Sequence, residues 1–376
     1  MPAAHSRRLV SLALAPGEDF SAALEQVWAD GDAVLPIDPF APKAATDRLL
    51  AAMRPDLAVE DDVALVIATS GSTGEPKGAQ LTHAALQSSI DAAHERIGRE
   101  PGDVWLSCLP WHHIGGLQVL LRSRRLGIPL VVHDRFDVER FVGADATLTS
   151  LVPTQLAALL DAGVDLRRYR AILLGGAAAS ESLLDRARQA GAVIVTTYGM
   201  SETAGGCVYD GRPLDGVEVD VTDDGRLALR GPMLMCGYRL RPDLTAQTLI
   251  DGWLVTNDLG RVAADGPVEV IGRADDVIVT GGVNVVAGEV ATALGTHPAV
   301  VDAAVIGIAD ERWGQRVVAV IEAGTPTPSV EELREWCRAL LPAASLPREV
   351  VVVDAMPRLA SGKVDRLALG RTVSNR

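Results

Sequence analysis

Short apolar runs alternate with helical patterns over residues 63–199, and this alternation constrains the fold more than any other feature. Continuous apolar runs of this length favour buried strands, and strands that alternate with helices are typical of a largely parallel sheet. The sequence therefore predicts an α/β fold. The predicted strands cover 63–69, 104–109, 129–133, 147–152, 171–176 and 193–199, and the predicted helices cover 83–97 after an N-cap at Thr82, 154–162 and 180–191.

The pattern changes near residue 205, where short strands and turns such as GVEVDV, GRLALRG and GPVEVIG begin. This change predicts a β-rich subdomain. A further boundary is expected near GRADD (272–276), because a compact α+β pattern follows it. Within that pattern, Ser329 and Glu332 have the spacing of a capping box, which predicts the start of a helix. At 376 residues, the chain is long enough for two domains with separate cores.

The charge balance argues against nucleic acid and anionic membranes as partners. The 35 basic and 49 acidic residues give a net charge of −14, whereas binders of either polyanion are normally basic. No apolar run has the length of a membrane span, and the run at 117–132 is interrupted by arginines. The N-terminal apolar run is too short for a signal peptide. Because the four cysteines have no metal-binding or redox spacing, the sequence predicts a cytoplasmic protein.

The stretch ATSGSTGEPKG (68–78) predicts a site for phosphate. Its glycines permit backbone conformations in which consecutive N–H groups converge on an anion, and its hydroxyls add hydrogen-bond donors. Lys77 supplies a compact positive charge, and it is one of only three lysines among the 35 basic residues. Pro76 stands where a Walker A loop has glycine, so a different class of phosphate loop is expected.

The order of residues in this loop resembles the phosphate loop of the adenylate-forming superfamily, which includes acyl-CoA ligases, peptide-synthetase adenylation domains and luciferases. Six further motifs of that superfamily follow in the expected order, so the resemblance runs from about residue 60 to the end. These motifs are LPWHHIGG (109–116), LLGGAA (173–178), YGMSET (198–203), VTNDLG (255–260), GRADDVI (272–278) and PRLASGKVDR (357–366). Ala68 and Asn257 depart from the superfamily pattern, and neither departure removes a phosphate ligand.

The resemblance implies an AMP-binding domain over residues 1–274, shortened at its N-terminus, and a small mobile α+β domain over residues 275–376, with a hinge at Asp275. SLVPTQL (150–156) and TYGMSETAGGCVYDGRPLDGV (197–217) resemble one branch, the 2-succinylbenzoate–CoA ligases of menaquinone biosynthesis, in their short actinobacterial form. Such ligases join 2-succinylbenzoate to CoA through an acyl-adenylate. The implied co-substrates are ATP and CoA, and the implied cofactor is Mg²⁺. A homodimer is left open.

The resemblance also assigns nucleotide-binding residues. Glu202 would ligate Mg²⁺ and Thr203 would bind the α-phosphate. Asp258 would accept hydrogen bonds from the ribose hydroxyls, and Arg273 would add a donor. The remaining implied ligands are Thr69, Ser70, Gly71, Ser72, Thr73, Gly74 and Lys77 for the β- and γ-phosphates, and Gly175, Gly176, Ala177, Tyr198 and Gly199 for the adenine.

Two catalytic steps are implied, and the small domain would serve both of them. In adenylation, Lys363 would bridge the attacking carboxylate and the α-phosphate, so that its charge offsets the repulsion between two anions. The domain would then rotate about Asp275 and carry Lys363 away. In the new arrangement, Gly281 and Gly282 would let the pantetheine arm of CoA pass close to the backbone.

For the acyl group, the register of LPWHHIGG favours His113 over His112 as a residue that lines the pocket, and Gly205 with Gly206 would leave a slot for the ring. The sequence does not identify a partner for the second carboxylate of 2-succinylbenzoate. Other acyl- or aryl-CoA ligases and a peptide-synthetase adenylation domain stay open, as does a nucleotide-binding regulator without catalysis. The chain ends 13 residues after Lys363, which favours CoA over a carrier domain as acceptor.

Overall fold

The computed structural model describes residues 7–60, 62–70, 75–263, 266–324, 326–358 and 364–374. It is an α/β protein with several sheets, as the sequence predicted, and the chain divides into two compact units that each have a hydrophobic core. Unit 1 comprises Met1–Gly175, Ala190–Val219 and Leu229–Val255, and unit 2 comprises Gly176–Gln189, Asp220–Ala228 and Thr256–Arg376. The predicted division between residues 274 and 275 stays a prediction.

The regular elements alternate along most of the chain. The strands are β1 (Leu9–Leu12), β2 (Ala33–Pro36), β3 (Val63–Ser70), β4 (Pro76–Thr82), β5 (Trp105–Ser107), β6 (Leu130–Val132), β7 (Leu148–Leu151), β8 (Ala171–Leu174), β9 (Ile194–Met200), β10 (Gly205–Tyr209), β11 (Arg212–Pro213), β12 (Glu218–Val221), β13 (Arg226–Arg230), β14 (Gly237–Tyr238), β15 (Leu249–Ile250), β16 (Trp253–Val262), β17 (Val268–Arg273), β18 (Val277–Thr280), β19 (Val283–Val286), β20 (Val300–Asp310), β21 (Gly314–Ala323) and β22 (Glu349–Val353). The helices are α1 (Glu18–Ala29), α2 (Lys43–Met53), α3 (His83–Ile97), α4 (Ile114–Leu126), α5 (Val138–Gly143), α6 (Pro153–Asp161), α7 (Glu181–Gln189), α8 (Pro242–Thr248), α9 (Ala287–Gly295), α10 (Val330–Arg338) and α11 (Arg366–Ser374).

The first sheet of unit 1 has the strand order β1-β2-β3-β4-β14. The strands β1, β2 and β3 are parallel, whereas β4 runs antiparallel to β3 and sets Thr69 opposite Lys77. The apolar residues of β3 from Val63 to Ile67 are fully buried, which explains why this run was recognisable as a strand. The sequence had predicted a loop as far as residue 78, but the strand β4 already begins at Pro76.

The second sheet of unit 1 has seven strands in the order β11-β10-β9-β8-β7-β5-β6. The pairs from β6 through β9 are all parallel, as predicted, and β10 returns antiparallel to β9. The core on this sheet includes Trp105, Val119, Leu148 and Leu173. The predicted N-cap is confirmed, because the Thr82 hydroxyl accepts a hydrogen bond from the Ala85 amide at 3.0 Å at the start of α3.

Unit 2 contains an antiparallel hairpin and an α+β sheet. In the hairpin, β16 pairs with β17 and sets Asp258 opposite Arg273. The sheet has the order β19-β18-β21-β20, with β22 parallel to β21, and its core joins α9 and α10 to the sheet. The predicted capping box is confirmed, since Ser329 and Glu332 exchange hydrogen bonds at the start of α10.

None of the helices in the described part of the chain combines the length and the apolarity that are needed to cross a membrane.

Candidate nucleotide and acyl site

Three side chains meet beside the β3–β4 hairpin of unit 1. The Lys77 ammonium lies 3.2 Å from Glu202 Oε1, and it donates a hydrogen bond to the Tyr238 hydroxyl at 2.8 Å. That hydroxyl donates in turn to Glu202 Oε1 at 2.7 Å. Glu202 and Tyr238 are buried, with exposed fractions of 6% and 4%. The structure thus brings together the predicted phosphate-binding lysine and the predicted metal ligand, with a tyrosine between them that the sequence did not single out.

Backbone and side-chain bonds fix Tyr238 in place. The strand β14 pairs with β4, so that Tyr238 lies opposite Ala79, and the Tyr238 amide donates to the Thr245 hydroxyl at 2.8 Å. The next residue, Arg239, is also buried. Its guanidinium donates to four carbonyl oxygens at the end of α2 and in the segment that follows it, which are those of Met53, Arg54, Leu57 and Ala58. Four carbonyl oxygens and one cation therefore anchor this segment.

Thr203 closes the short 3₁₀ turn that follows β9. Its hydroxyl is fully buried, accepts the Met200 amide at 2.9 Å and lies within bonding distance of the carbonyl oxygens of Met200 and Gly205. These contacts give Thr203 a local structural role in the turn, and its predicted role at the α-phosphate stays a prediction. Ser201, two residues earlier in the same turn, is half-buried. The motif YGMSET had given this hydroxyl no predicted role.

The predicted acyl-slot glycines lie where two strands approach closely. In the β9–β10 pair, Gly206 lies opposite Gly199 and Gly205 lies opposite Met200. A Cβ at Gly199 would lie only 2.1 Å from the Gly205 carbonyl oxygen, so a side chain at this position would force the strands apart. Gly205 has a φ of 112°, which favours glycine. Tyr198, predicted to contact adenine, is half-buried on the same strand.

The predicted adenine loop begins at the end of β8. A Cβ at Gly175 would lie 2.3 Å from the Thr197 hydroxyl oxygen, so this glycine allows the loop to pass close to β9. Gly176 has a φ of 81° and is exposed, and Ala177 is half-buried. Their predicted contact with adenine stays a prediction.

The predicted acyl-pocket histidine caps the helix α4. His113 is exposed, and its carbonyl oxygen accepts hydrogen bonds from the Gly116 and Leu117 amides. Its ring centroid lies 4.3 Å from that of His112, which is half-buried. Burial lowers the pKa of His112. His112 is therefore the more enclosed of the two and favours a neutral ring, whereas His113 is accessible to solvent.

One buried arginine on α4 was missed. Arg122 is only 4% exposed, and among the described residues no carboxylate forms an ion pair with it. Its Nη2 donates to the Tyr209 hydroxyl at 3.1 Å, while no described residue accepts a hydrogen bond from its Nε. A Cβ at Gly206 would lie 3.5 Å from the same Tyr209 hydroxyl. In the sequence, Arg122 was visible only as one of three arginines that interrupt the apolar run at 117–132, and nothing local separated it from the other two.

Unit 2 brings together the predicted ribose and hinge residues. The Arg273 guanidinium lies 3.1 Å from Asp258 Oδ1, and it donates two hydrogen bonds to the Asp275 carboxylate at 2.9 and 3.0 Å. Burial opposes ionisation of Asp275, but the Arg273 guanidinium and the Asn257 side chain bring the pKa of Asp275 below its usual value. The three side chains thus form one charged cluster in which a single guanidinium serves two carboxylates.

The two predicted CoA glycines form the turn between β18 and β19. Gly281 and Gly282 are exposed and have φ values of 58° and 79°, which favour glycine. A Cβ at Gly281 would lie 3.0 Å from the ring of Trp313. The guanidinium carbons of Arg312 and Arg348 lie 4.9 and 3.7 Å from the centroid of that ring. In the described part of unit 2, neither arginine forms an ion pair.

Comparison with known proteins decides the family. The AMP-binding enzyme model matches residues 10–239, and the model of the AMP-binding enzyme C-terminal domain matches residues 289–363. A probable 2-succinylbenzoate–CoA ligase of Mycobacterium tuberculosis is 48% identical over 343 residues, which cover 86% of this chain and 88% of the relative. The chain belongs to the 2-succinylbenzoate–CoA ligase branch of the AMP-binding enzymes.

Two solved structures of a Bacillus subtilis AMP-binding enzyme are similar throughout. Its O-succinylbenzoate coenzyme A synthetase in complex with ATP and magnesium ion is 27% identical, with a TM-score of 0.82 over 95% of this chain and 88% of that chain. The same enzyme with the acyl-adenylate intermediate is 30% identical, with a TM-score of 0.76 over 96% and 82%. The separate C-terminal domain of this family is thus part of the fold.

The donor set of this AMP-binding enzyme fits Mg²⁺ bound together with a nucleotide. Among the described residues, no group of three or more acidic, histidine or cysteine side chains could hold a metal ion by itself. Mg²⁺ usually takes one or two carboxylates and obtains its other ligands from phosphate and water. The Glu202 carboxylate, 3.2 Å from the Lys77 ammonium, matches that pattern. The predicted ligands Gly71, Ser72, Thr73 and Gly74 and the predicted catalytic Lys363 lie outside the described residues.

Proposed function

We propose that this protein joins 2-succinylbenzoate to CoA for menaquinone biosynthesis at the expense of ATP. In the first step, an oxygen of the succinyl carboxylate attacks the α-phosphorus, the bond from that phosphorus to the oxygen bridging the α- and β-phosphates breaks, and pyrophosphate leaves. In the second step, the CoA thiol loses its proton to solvent, its sulfur attacks the acyl carbon, and AMP leaves. The cluster of Lys77, Glu202 and Tyr238 carries this proposal, because it pairs a cation for phosphate with a carboxylate for a metal ion.

Different segments of the chain would bind different parts of the nucleotide. We propose that Lys77 and the hydroxyls of its loop bind the β- and γ-phosphates, and that Glu202 ligates Mg²⁺, which would supply positive charge at the reacting phosphate. The half-buried Ser201 hydroxyl would join Thr203 at the α-phosphate. Asp258 would accept hydrogen bonds from the ribose hydroxyls. The Asp258–Arg273 ion pair supports this role, because it fixes the carboxylate before the nucleotide binds.

For the acyl group, we propose that Arg122 and Tyr209 recognise the aromatic carboxylate. The Tyr209 hydroxyl accepts a hydrogen bond from Arg122, so its own proton is available for a further acceptor. That hydroxyl lies next to Gly206, where the predicted ring slot begins. An unpaired buried guanidinium is costly, and a substrate carboxylate would offset that cost. His113 would contact the substrate at the start of the same helix.

For the acceptor, we propose that CoA binds unit 2 at the Gly281–Gly282 turn. The cations of Arg312 and Arg348 lie beside this turn on the Trp313 ring and would attract the phosphates of CoA. Because ATP and CoA are cytoplasmic co-substrates, we also propose a cytoplasmic location. The homodimer stays a prediction.

Pyrophosphate release with a panel of acids tests this function. With ATP, Mg²⁺ and CoA, 2-succinylbenzoate should give a higher kcat/KM than benzoate or a long-chain fatty acid. The variant Glu202→Gln should lose most of this activity, because it removes the charge that would hold the metal. The control Glu25→Gln, which alters an exposed ion pair with Arg124, should keep it. A higher kcat/KM for benzoate or for the fatty acid would rule out the proposed substrate. Formation of ADP in place of AMP would rule out the proposed reaction.

A further inference from the structure

The Tyr238 hydroxyl links the two charged groups of the proposed phosphate site. It accepts a hydrogen bond from the Lys77 ammonium at 2.8 Å and donates its own proton to Glu202 Oε1 at 2.7 Å. One hydroxyl thus serves as acceptor for the cation and donor for the anion, which is an arrangement that a phenylalanine ring could not reproduce. The Lys77 ammonium also lies 4.4 Å from the centroid of the Tyr238 ring.

The position of this hydroxyl is set by its own segment rather than by its two charged partners. The Tyr238 amide donates a hydrogen bond to the Thr245 hydroxyl at 2.8 Å, and the Arg239 amide donates to the Gly78 carbonyl oxygen at 2.8 Å. Arg239 is held by four carbonyl oxygens at the end of α2 and in the segment that follows it.

Because Lys77 pairs with Glu202, the binding of ATP and the binding of Mg²⁺ at this site should depend on each other. If the phosphates of ATP took Lys77 alone, the buried Glu202 carboxylate would be left unpaired beside added negative charge. If Mg²⁺ took Glu202 alone, the Lys77 ammonium would be left beside added positive charge. The first event is unfavourable because the buried Glu202 carboxylate loses its cation, and the second because the half-buried Lys77 ammonium meets a second cation. The site is therefore suited to a metal and a nucleotide that bind together.

We infer that Tyr238 is a positioning residue that holds Lys77 and Glu202 in place for the joint binding of Mg²⁺ and ATP. This inference rests on the proposed function. Tyr238 would keep its bond to Glu202 while the metal binds the other side of that carboxylate, and it would keep its bond to Lys77 while the ammonium turns to the phosphates. The nucleotide would then enter a site whose two charges are already fixed.

Calorimetric titration with a non-hydrolysable ATP analogue tests this role. Tyr238→Phe keeps the ring and removes both hydrogen bonds. Because a hydrogen bond to a charged group contributes substantially, the Kd for the analogue with Mg²⁺ should rise about tenfold. The Kd measured in excess EDTA should change less than twofold, and in pyrophosphate release KM for ATP should rise more than kcat falls. If the role of Tyr238 were purely structural, the variant would lose affinity for the analogue equally with Mg²⁺ and in excess EDTA.

Tyr169→Phe is the matched control. Tyr169 is also buried in unit 1, and its hydroxyl accepts a hydrogen bond from Arg168, away from this cluster. This variant should leave both Kd values unchanged. If Tyr238→Phe does not fold, Thr245→Val can replace it, because it removes the hydrogen-bond acceptor of the Tyr238 amide. This variant should also raise the Kd for the analogue with Mg²⁺, by a smaller factor.

Two results would overturn the inference with the fold intact. One is a Kd with Mg²⁺ within twofold of the parent protein, and the other is an equal loss of affinity with and without the metal. If the parent protein itself failed to bind the analogue with Mg²⁺, the proposed function would fail, and this inference with it. If the parent protein and the Tyr238→Phe variant bound the analogue with Mg²⁺ equally well, only the proposed role of Tyr238 would be overturned.

Discussion

The guanidinium of Arg366 lies 2.8 Å from a carboxylate oxygen of Asp276. Asp276 follows the predicted hinge residue Asp275, and Arg366 follows the predicted catalytic Lys363 by three positions. Arg366 also donates to the Val305 carbonyl oxygen at 3.1 Å. Within unit 2, these contacts tie the stretch after Lys363 to the stretch after the hinge. A rotation about Asp275 would therefore carry the lysine as part of a connected body.

The two half-reactions should separate in variants of these residues. Lys363→Ala removes the charge that would bring two anions together, so adenylate formation should fall about 10²–10³-fold. Given pre-formed acyl-adenylate and CoA, the same variant should still make thioester. Asp275→Pro fixes a backbone torsion at the hinge, so it should impair thioester formation while adenylation stays measurable. Single-turnover kinetics of each half-reaction checks both, and equal slowing of the two halves by Lys363→Ala would contradict the proposed domain rotation.

The ion pair itself should matter less than the lysine. Its side chains are partly exposed, and pairs of this kind contribute up to about 1 kcal/mol. Arg366→Met should therefore slow adenylation about fivefold, since 1.4 kcal/mol corresponds to a factor of ten. The same single-turnover measurement applies. If Arg366→Met slowed adenylation as much as Lys363→Ala does, the expectation that the ion pair contributes less than the lysine would be contradicted.

Arg122 should discriminate between acids that differ only in the aromatic carboxylate. The parent protein should use 2-succinylbenzoate better than 4-oxo-4-phenylbutanoate, which lacks that group. Arg122→Met removes the buried cation, so the ratio of the two kcat/KM values should fall about tenfold or more, with KM for ATP nearly unchanged. Arg124→Met, which changes an exposed arginine on the same helix, is the control. An unchanged ratio in Arg122→Met would remove this residue from the acyl site.

A buried ion pair of unit 1 should make stability depend on pH. Asp103 lies 2.8 Å from Arg170 and also accepts hydrogen bonds from the Glu100 amide and the Thr147 hydroxyl. Burial alone would raise the pKa of Asp103, but these partners bring it below its usual value. Its contribution to stability is therefore present above the unfolded pKa of about 3.9, and it is lost as the pH falls through the lower folded value.

Arg170→Met should remove this contribution. The free energy of unfolding at pH 7 should fall by about 3 kcal/mol, because the Asp103 carboxylate would be left buried without its cation. The difference from the parent protein should shrink as the pH falls below about 4. Urea unfolding at several pH values measures both effects, with Arg167→Met, which alters an exposed pair with Asp165, as the control. An equal loss at all pH values would contradict this account of Asp103.

The sequence predicted those features whose signal is local. The run at β3 was recognisable because its apolar residues from Val63 to Ile67 are buried, and the N-cap at Thr82 and the capping box at Ser329 depend on residues three positions apart. By contrast, β4 begins with Pro76 and Lys77 and has no apolar start, because its pairing with β3 defines it. No local pattern could reveal that strand.

The residues that were missed depend on distant contacts. Tyr238 is 161 positions from Lys77, and only the pairing of β14 with β4 brings the two together. Arg122 looked like an interruption of an apolar run, whereas the fold buries it against Tyr209, 87 positions away. Periodicity and motif spacing carry no information about such pairs, since both describe neighbours along one element.

In the proposed reaction the acid is activated as an adenylate before CoA takes part, and mass spectrometry of a staged reaction can follow the two events separately. The protein is first incubated with ATP, Mg²⁺ and 2-succinylbenzoate without CoA, and CoA is added later. We expect 2-succinylbenzoyl-AMP and pyrophosphate in the first stage, followed by conversion of the adenylate to the CoA thioester with release of AMP. A first stage that yields ADP and orthophosphate, or no adenylate at all from this acid, would contradict it.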